Sequence, residues 1–164
     1  MDRAPKQNVK YVLHLFSGRR READIQYWIE ELARQTGHSV VCLSFDLAID
    51  EQCDLLDERA QTWLRQMIKG GRILTLIAGP PCETWSRARG VSLPEESSSG
   101  QPRVLRSNQE PWGLVGMNQR EHTQCLVGSR LLQFTIILVL DCIAAATSCL
   151  VEHPDESYLS LIHI

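Results

Sequence analysis

The sequence predicts an α/β fold with a Rossmann-like, mostly parallel β-sheet and helices on both of its faces. Segments with the spacing of strands alternate with segments that have the spacing of helices, which is typical of βαβ units. The strand segments are apolar on both faces, as in a parallel sheet that helices cover on both sides. The length of 164 residues favours one domain, which we assign to residues 9–158.

Each strand is predicted from a short apolar run that is rich in β-branched residues and bounded by polar or turn residues. Three such runs come first along the chain and a shorter one comes last: 9–16, 39–46, 72–79 and 149–152. The helices are predicted from apolar residues spaced three and four apart. They cover 22–35, 57–71 and about 119–147, and we expect a break in the last helix at Gly128.

The first predicted helix has a clear apolar face. The helical spacing puts four large residues on it: Ile25, Trp28, Ile29 and Leu32. Trp63 lies on the apolar face of the second helix. We therefore expect Trp28 and Trp63 to pack in the core.

The composition is that of a soluble globular protein. Hydrophobic residues make up 43% and charged residues 23% of the chain, and no charged-then-apolar leader opens it, which favours an intracellular location, the nucleus included. The six cysteines are then expected to be free thiols. They form no C-x-x-C pair and no histidine cluster completes a zinc spacing, so we expect no metal. The net charge of −3 gives no global attraction to nucleic acid, which would need a local basic patch.

The most apolar stretch runs from Leu131 to Val151 and approaches the length of a membrane span. Polar residues interrupt it, among them Gln133 and Asp141. We therefore interpret it as a buried helix followed by a strand, and we expect no membrane association.

Residues 90–118 differ from the rest in being rich in serine, glycine, proline and charge. The segment has neither helical nor strand spacing, so we expect a long mobile loop within the domain. Such a loop is either a lid that contacts substrate or a disordered insertion, and both interpretations stay open. The last residues, 159–164, resemble the translation of a sequencing-library adaptor. We expect them to be a non-native tail, and the domain to be truncated at its C-terminal end.

Residues that carry chemistry follow the predicted strands at four places. Gly18 follows the first strand, Asp46 the second, Cys82 the third and Glu152 the last. Ligands of open parallel sheets bind outside the carboxyl ends of the strands. The sequence therefore predicts a site at this edge of the sheet.

Cys82 is the candidate nucleophile, because it comes directly after two prolines that restrict the backbone before the sulfur. Arg87 and Arg89 follow within seven residues and favour the thiolate, which is the reactive form. Ser86 can donate a hydrogen bond to a polar substrate. A protonated Glu152 would give a proton to a ring nitrogen while the sulfur attacks the ring.

Three motifs resemble those of the cytosine-C5 methyltransferases. The stretch GPPCETWS (79–86) resembles their catalytic loop, G-P-P-C-Q-x-x-S. LHLFSG (13–18) resembles their first motif, a strand ending in F-x-G that opens the S-adenosylmethionine site. VEHP (151–154) resembles their E-N-V motif. The resemblance covers residues 9–155 in family order and implies a class I methyltransferase fold.

The resemblance implies a reaction in which Cys82 adds to C6 of a cytosine and Glu152 holds or protonates N3. The activated C5 then takes a methyl group from S-adenosylmethionine, and the target base must first leave its stack. Ser86, Arg87 and Arg89 would contact the nucleic acid. The arginines would bind backbone phosphate, and DNA is expected as the substrate rather than RNA.

The resemblance also implies a cofactor site for S-adenosylmethionine. Its residues would be Phe16, Ser17, Gly18, Asp46, Asp54 or Asp57, and Pro80. Asp46 corresponds to an acid that binds the cofactor ribose. Asp54 or Asp57 corresponds to a second acid that contacts the adenine.

Two other functions stay open. Arg20 occupies the position of the second glycine in the family's first turn, which favours a non-catalytic methyltransferase-like module that binds nucleic acid or protein. A dehydrogenase is less favoured, because the first turn lacks G-x-G-x-x-G. The family's later motifs, an arginine motif and a target-recognition region, are absent from these residues, so we expect no methyl transfer from this fragment alone.

Overall fold

The computed structural model describes residues 9–85 and 103–152. These residues divide into two compact units. The sheet unit contains the described residues up to Gly79 together with Phe134–Val151. The loop unit contains the described residues between Pro80 and Gln133, together with Glu152.

The sheet unit is built on four parallel strands, which confirms the predicted α/β class with a parallel sheet. The strands are β1 (Lys10–Leu15), β2 (Val40–Phe45), β3 (Ile73–Ala78) and β4 (Ser148–Val151). Their order across the sheet is β2-β1-β3-β4. The chain therefore crosses β1 on its way from β2 to β3. This reversal creates a topological switch point beside the carboxyl end of β1, where ligands of such sheets bind.

Among residues 9–85 and 103–152, three helices and one short 3₁₀ turn connect the strands. The helices are α1 (Ile25–Gln35), α2 (Glu58–Lys69) and α3 (Gln119–Ala144), and the 3₁₀ turn is Glu51–Cys53. Asp24 and Asp57 are the N-caps of α1 and α2, and their carboxylates accept backbone N–H groups of the first turn. α3 runs through Gly128 without interruption, so the expected break there is wrong.

The core of the sheet unit covers both faces of β1. Val12 and Leu13 are adjacent and therefore point to opposite faces of the strand, yet both are buried. Leu64 and Ile68 of α2 and Leu138 of α3 are fully buried as well. Each such side chain contributes about 1.5–3 kcal/mol by leaving water, so the apolar runs that predicted the strands also stabilise them.

The apolar face predicted for α1 is not buried within the described chain. Trp28 is 58% exposed and Leu32 is 62% exposed, and Ala33 is the buried residue of this helix. Trp63 is 41% exposed, although its ring lies 5.6 Å from the ring of Phe45. The expectation that both tryptophans lie in the core is therefore wrong.

α3 is long and apolar enough, by length and composition alone, to cross a membrane. The mean hydropathy of its most apolar stretch is 1.8, and 39% of that stretch is buried inside the protein. The core helix of a soluble protein meets the same criterion. In the sheet unit, the end of α3 leads into β4, as predicted for a helix followed by a strand.

Asp141 links α3 to α2 in the sheet unit through two cations. Its carboxylate lies 2.6 Å from Nε of Arg65 and 3.5 Å from Nζ of Lys69. The hydrogen bond from Arg65 is the main cause that holds the pKa of Asp141 below its usual range. The carboxylate is mostly buried, whereas both cations are partly exposed to water.

We expect Asp141→Asn to lower the free energy of unfolding by about 1 kcal/mol at pH 7, because the cations are partly screened by water. A depressed pKa in the folded state stabilises the protein above the unfolded value, near pH 4. The difference between wild type and variant should therefore disappear as the pH falls from about 4 toward the lower folded value. Urea unfolding at several pH values measures it. Glu58→Gln, an exposed change on α2, is the control, and an equal effect there would contradict the assignment.

Candidate functional site

The four strands end in one aligned row. The register pairs Leu15 with both Phe45 and Ala78, and it pairs Ala78 with Val151. The next residue after each of these ends is Phe16, Asp46, Gly79 or Glu152. Of the residues that the sequence placed after its strands, Asp46 and Glu152 directly follow the ends of β2 and β4. Gly18 comes two residues after Phe16, and Cys82 comes three residues after Gly79.

The turn after β1 has an unusual backbone. Phe16 has φ of 58° and Gly18 has φ of 68°. Positive φ is rare for residues other than glycine, and it is found preferentially at functional sites. The N–H of Phe16 donates to the carbonyl of Phe45 at 2.8 Å, which ties the turn to the end of β2.

Asp46 joins the turns that follow β1 and β2. One carboxylate oxygen accepts the N–H of Gly18 at 2.8 Å, and the other accepts the N–H of Ala48 at 2.8 Å. A carboxylate has about four acceptor positions. Asp46 can therefore hold the turn and still accept a hydroxyl group from a ligand at the switch point.

Arg20 turns toward the start of α1. Its guanidinium binds both carboxylate oxygens of Asp24, at 2.5 and 3.1 Å. This hydrogen bond is the main cause that lowers the pKa of Asp24 to about 2. The side chain at the position of the family's second glycine is thus paired with the N-cap of the next helix.

The two acids expected at the adenine have local roles in the backbone. Asp54 is half-buried and accepts the N–H of Leu56 at 2.8 Å. Asp57 caps α2 by accepting the N–H groups of Arg59 and Ala60. Both are found at turns, and Asp54 retains acceptor positions that are not used by these contacts.

His14 lies next to the end of β1. Its Nδ1 is buried and has no hydrogen-bond partner among the described residues. Burial lowers the pKa of His14, and the carboxylates of Asp24 and Asp46 act in the opposite direction. Burial therefore favours the neutral form of the imidazole.

In the loop unit, Cys82 begins a tight turn. The N–H of Trp85 donates to the carbonyl of Cys82 at 2.8 Å. Pro80, Thr84 and Trp85 are buried, whereas Cys82 itself is half-buried. The turn is thus anchored on both sides of a thiol that water can reach.

Four predicted site residues remain to be placed: Glu152, Ser86, Arg87 and Arg89. Glu152 is exposed and directly follows β4. Ser86, Arg87 and Arg89 lie outside the described residues. Residues 103–118 of the predicted loop contain no helix or strand, and the mobility of that loop stays a prediction.

The burial of the other cysteines separates them from Cys82. Cys42 and Cys142 are buried in the sheet unit, and burial raises the pKa of each thiol to about 11. They stay protonated at neutral pH and pack as small apolar side chains. Cys125 is also buried, while Cys53 is half-buried and Cys149 is exposed.

Arg106 is a residue of the loop unit that the sequence did not single out. It is 1% exposed, and its guanidinium carbon lies 3.6 Å from the ring centroid of Trp85. Its Nε donates to the hydroxyl of Thr84 at 3.0 Å. One guanidinium therefore contacts two residues of the Cys82 turn.

Three further acceptors complete the surroundings of Arg106. They are the hydroxyl of Ser129 and the backbone carbonyls of Pro111 and Cys125. All the acceptors recorded for it in the described chain are uncharged, and burial lowers the pKa of the guanidinium. A buried cation is costly when no opposite charge is close. We therefore regard Arg106 as a residue that positions the Cys82 turn and places a positive charge next to it.

Gly128 lets α3 approach the Cys82 turn closely. A Cβ atom at this position would lie 3.1 Å from the ring of Trp85 and 3.3 Å from the hydroxyl of Thr84. Both neighbours are buried and bound to Arg106, so neither can move away easily. A Cβ atom here would force these neighbours to shift by a few tenths of an ångström, so the tight packing of α3 against the turn favours glycine at this position.

A cavity of about 660 Å³ lies next to the same turn. It is lined by Pro81, Glu83 and Thr84 and by residues of α3 between Gln119 and Leu131. The volume is within the range of small-molecule sites. The loop unit thus combines a half-buried thiol, a buried cation and a cavity around four consecutive turn residues.

Scans against protein-family models, curated proteins and solved structures gave no match to this chain. The site described above is therefore interpreted from its geometry and from the motifs in the sequence.

Proposed function

We propose that this protein transfers a methyl group from S-adenosylmethionine to C5 of cytosine in nucleic acid, on a Rossmann-like domain with helices on both sheet faces. The aligned row of strand ends is the observation that carries the proposal. Gly18 and Asp46 follow two of these ends, Glu152 follows a third, and the Cys82 turn begins shortly after the fourth. This order is the one that the family's motifs require. A nucleic-acid substrate places the activity inside the cell, with the nucleus as one location.

The residues that follow β1 and β2 suit the cofactor. Gly18 offers a turn without a side chain, and Asp46 has acceptor positions left for ribose hydroxyls. The resemblance assigns Phe16, Ser17 and Pro80 to the cofactor as well, and Asp54 to its adenine. S-adenosylmethionine supplies an electrophilic methyl group when bound.

The thiolate of Cys82 forms a bond to C6 of the cytosine, and Glu152 gives a proton to N3 as the ring accepts the electron pair. C5 thereby becomes nucleophilic, and it would take the methyl group when S-adenosylmethionine is bound, with S-adenosylhomocysteine as the leaving group. Loss of the C5 proton to water then expels the thiolate of Cys82 from C6, and return of the N3 proton to Glu152 restores the neutral ring. Arg106 does not touch the base in this scheme and acts by holding the turn that carries the thiol.

A second candidate is a module that binds nucleic acid or protein without catalysis. Arg20 favours this second candidate, since an arginine stands where the family's first motif has a glycine. The ion pair with Asp24 favours the enzyme instead, because it gives this side chain a partner at the start of α1.

Binding of S-adenosylmethionine to the full-length protein tests the choice between the two candidates. We expect a calorimetric signal, about tenfold weaker binding for Asp46→Asn, and 5-methylcytosine in a cytosine-containing oligonucleotide. Asp50→Asn changes an exposed acid on the same loop and is the matched control. No heat and no thermal shift at millimolar cofactor would exclude the enzyme and favour the binding module.

A further inference from the structure

The cavity beside the Cys82 turn has a lining that the reaction scheme does not use. Its lining includes three apolar residues, Pro81, Val127 and Leu131. The polar residues that line it from two successive turns of α3 are Gln119, Arg120, Thr123 and Gln124. The cavity lies entirely within the loop unit.

These groups match the parts of a nucleotide. A base has a flat apolar face and an edge that carries hydrogen-bond donors and acceptors. An amide side chain such as Gln124 can form two hydrogen bonds with that edge. The exposed cation of Arg120 suits a phosphate, and it fixes position without reading sequence.

We propose that this cavity binds one nucleotide of the substrate strand, next to the cytosine that Cys82 attacks. The nucleic-acid class of the ligand rests on the proposed function. The base packs against Pro81 and Val127, with its edge toward Gln119 and Gln124 and its phosphate toward Arg120. The cavity therefore selects the sequence context of the methylated base.

Paired substitutions on α3 separate this site from general electrostatic binding. Arg120 and Gln124 line the cavity, whereas Arg130 and Gln133 line a different depression on the same helix. We expect Arg120→Ala and Gln124→Ala each to weaken binding of a fluorescein-labelled single-stranded oligonucleotide about five- to tenfold. Arg130→Ala and Gln133→Ala should change it less than about twofold. Fluorescence anisotropy with the full-length protein measures all four, and thermal melting confirms that each variant is folded.

The outcomes distinguish this inference from the proposed function. Equal losses for Arg120→Ala and Arg130→Ala would overturn the nucleotide site, even if methyl transfer were intact. Displacement of the oligonucleotide by S-adenosylmethionine would also overturn it, since the cavity would then belong to the cofactor. Selective losses at Arg120 and Gln124 in a protein that transfers no methyl group would support the nucleotide site and refute the proposed reaction.

Discussion

Replacing Cys82 with alanine is expected to abolish the covalent adduct that the proposed methyl transfer predicts between the full-length protein and nucleic acid containing 5-fluorocytosine. Fluorine at C5 cannot leave as a proton does, so the bond between sulfur and C6 persists once the methyl group has been transferred. The adduct should be visible as a protein band of reduced mobility in a denaturing gel and as the summed mass by mass spectrometry. The alanine variant lacks the atom that forms this bond, so its adduct should fall below detection.

Two other cysteines provide controls for this experiment. Cys53 is half-buried, as Cys82 is, and Cys149 is exposed. Substituting either with alanine should leave the yield of adduct unchanged. An adduct that survives Cys82→Ala would rule out this thiol as the nucleophile, and an adduct lost in all three variants would indicate a folding defect rather than chemistry.

Arg106→Met is expected to lower the free energy of unfolding of the loop unit by about 3 kcal/mol. The substitution removes the donor from Thr84, Ser129 and two backbone carbonyls, and it removes the cation from the face of Trp85. Relief of the buried charge offsets part of this loss. Urea unfolding measures the stability, and hydrogen exchange of the Trp85 amide reports the Cys82 turn directly.

Matched variants show whether Arg106 also positions the thiol. Arg103→Met alters an exposed arginine of the same segment that pairs with Glu121, and it should cost less than about 1 kcal/mol. Arg106→Lys keeps the charge but loses the forked geometry. We expect both Arg106 variants, but not Arg103→Met, to change the rate at which a thiol reagent alkylates Cys82 under native conditions. Unchanged rates in both would restrict Arg106 to a purely structural role.

The elements of the sheet unit could be predicted from the sequence because their signals are local. β1 and α2 begin and end within two residues of the predicted limits. Each is bounded by a capping acid, a glycine or a change of period. The predicted limits of the strands also place Gly18, Asp46 and Glu152 after the carboxyl ends of their strands. Parallel strands bring these ends to one edge of the sheet.

The burial of α1 could not be predicted in this way. The spacing of Ile25, Trp28 and Leu32 fixes the face on which they lie, but it does not determine whether another element covers that face. All three are more exposed than buried-face residues usually are. Periodicity therefore predicted the helix correctly and its environment incorrectly.

Arg106 could not be found from the sequence for a different reason. It lies in a segment rich in serine, proline and charge, where an arginine is normally solvated. Its burial depends on Thr84, Cys125 and Ser129, which are 19 to 23 residues away along the chain. Only the three-dimensional arrangement brings these acceptors around one guanidinium. The helix break expected at Gly128 was wrong for the same reason. Its close approach to Trp85 and Thr84 cannot be recognised from the spacing of apolar residues along the helix.

The aligned strand ends also determine where the chain tolerates changes in length. Deleting one residue within β3 would draw the following prolines and Cys82 back by about 3.3 Å and exchange the two faces of the strand. An extra residue beside Gly37 or Gly71, at the opposite ends of the strands, would only lengthen an open turn. Insertions and deletions should therefore accumulate at the amino ends of the strands. The number of residues at the carboxyl ends should stay constant.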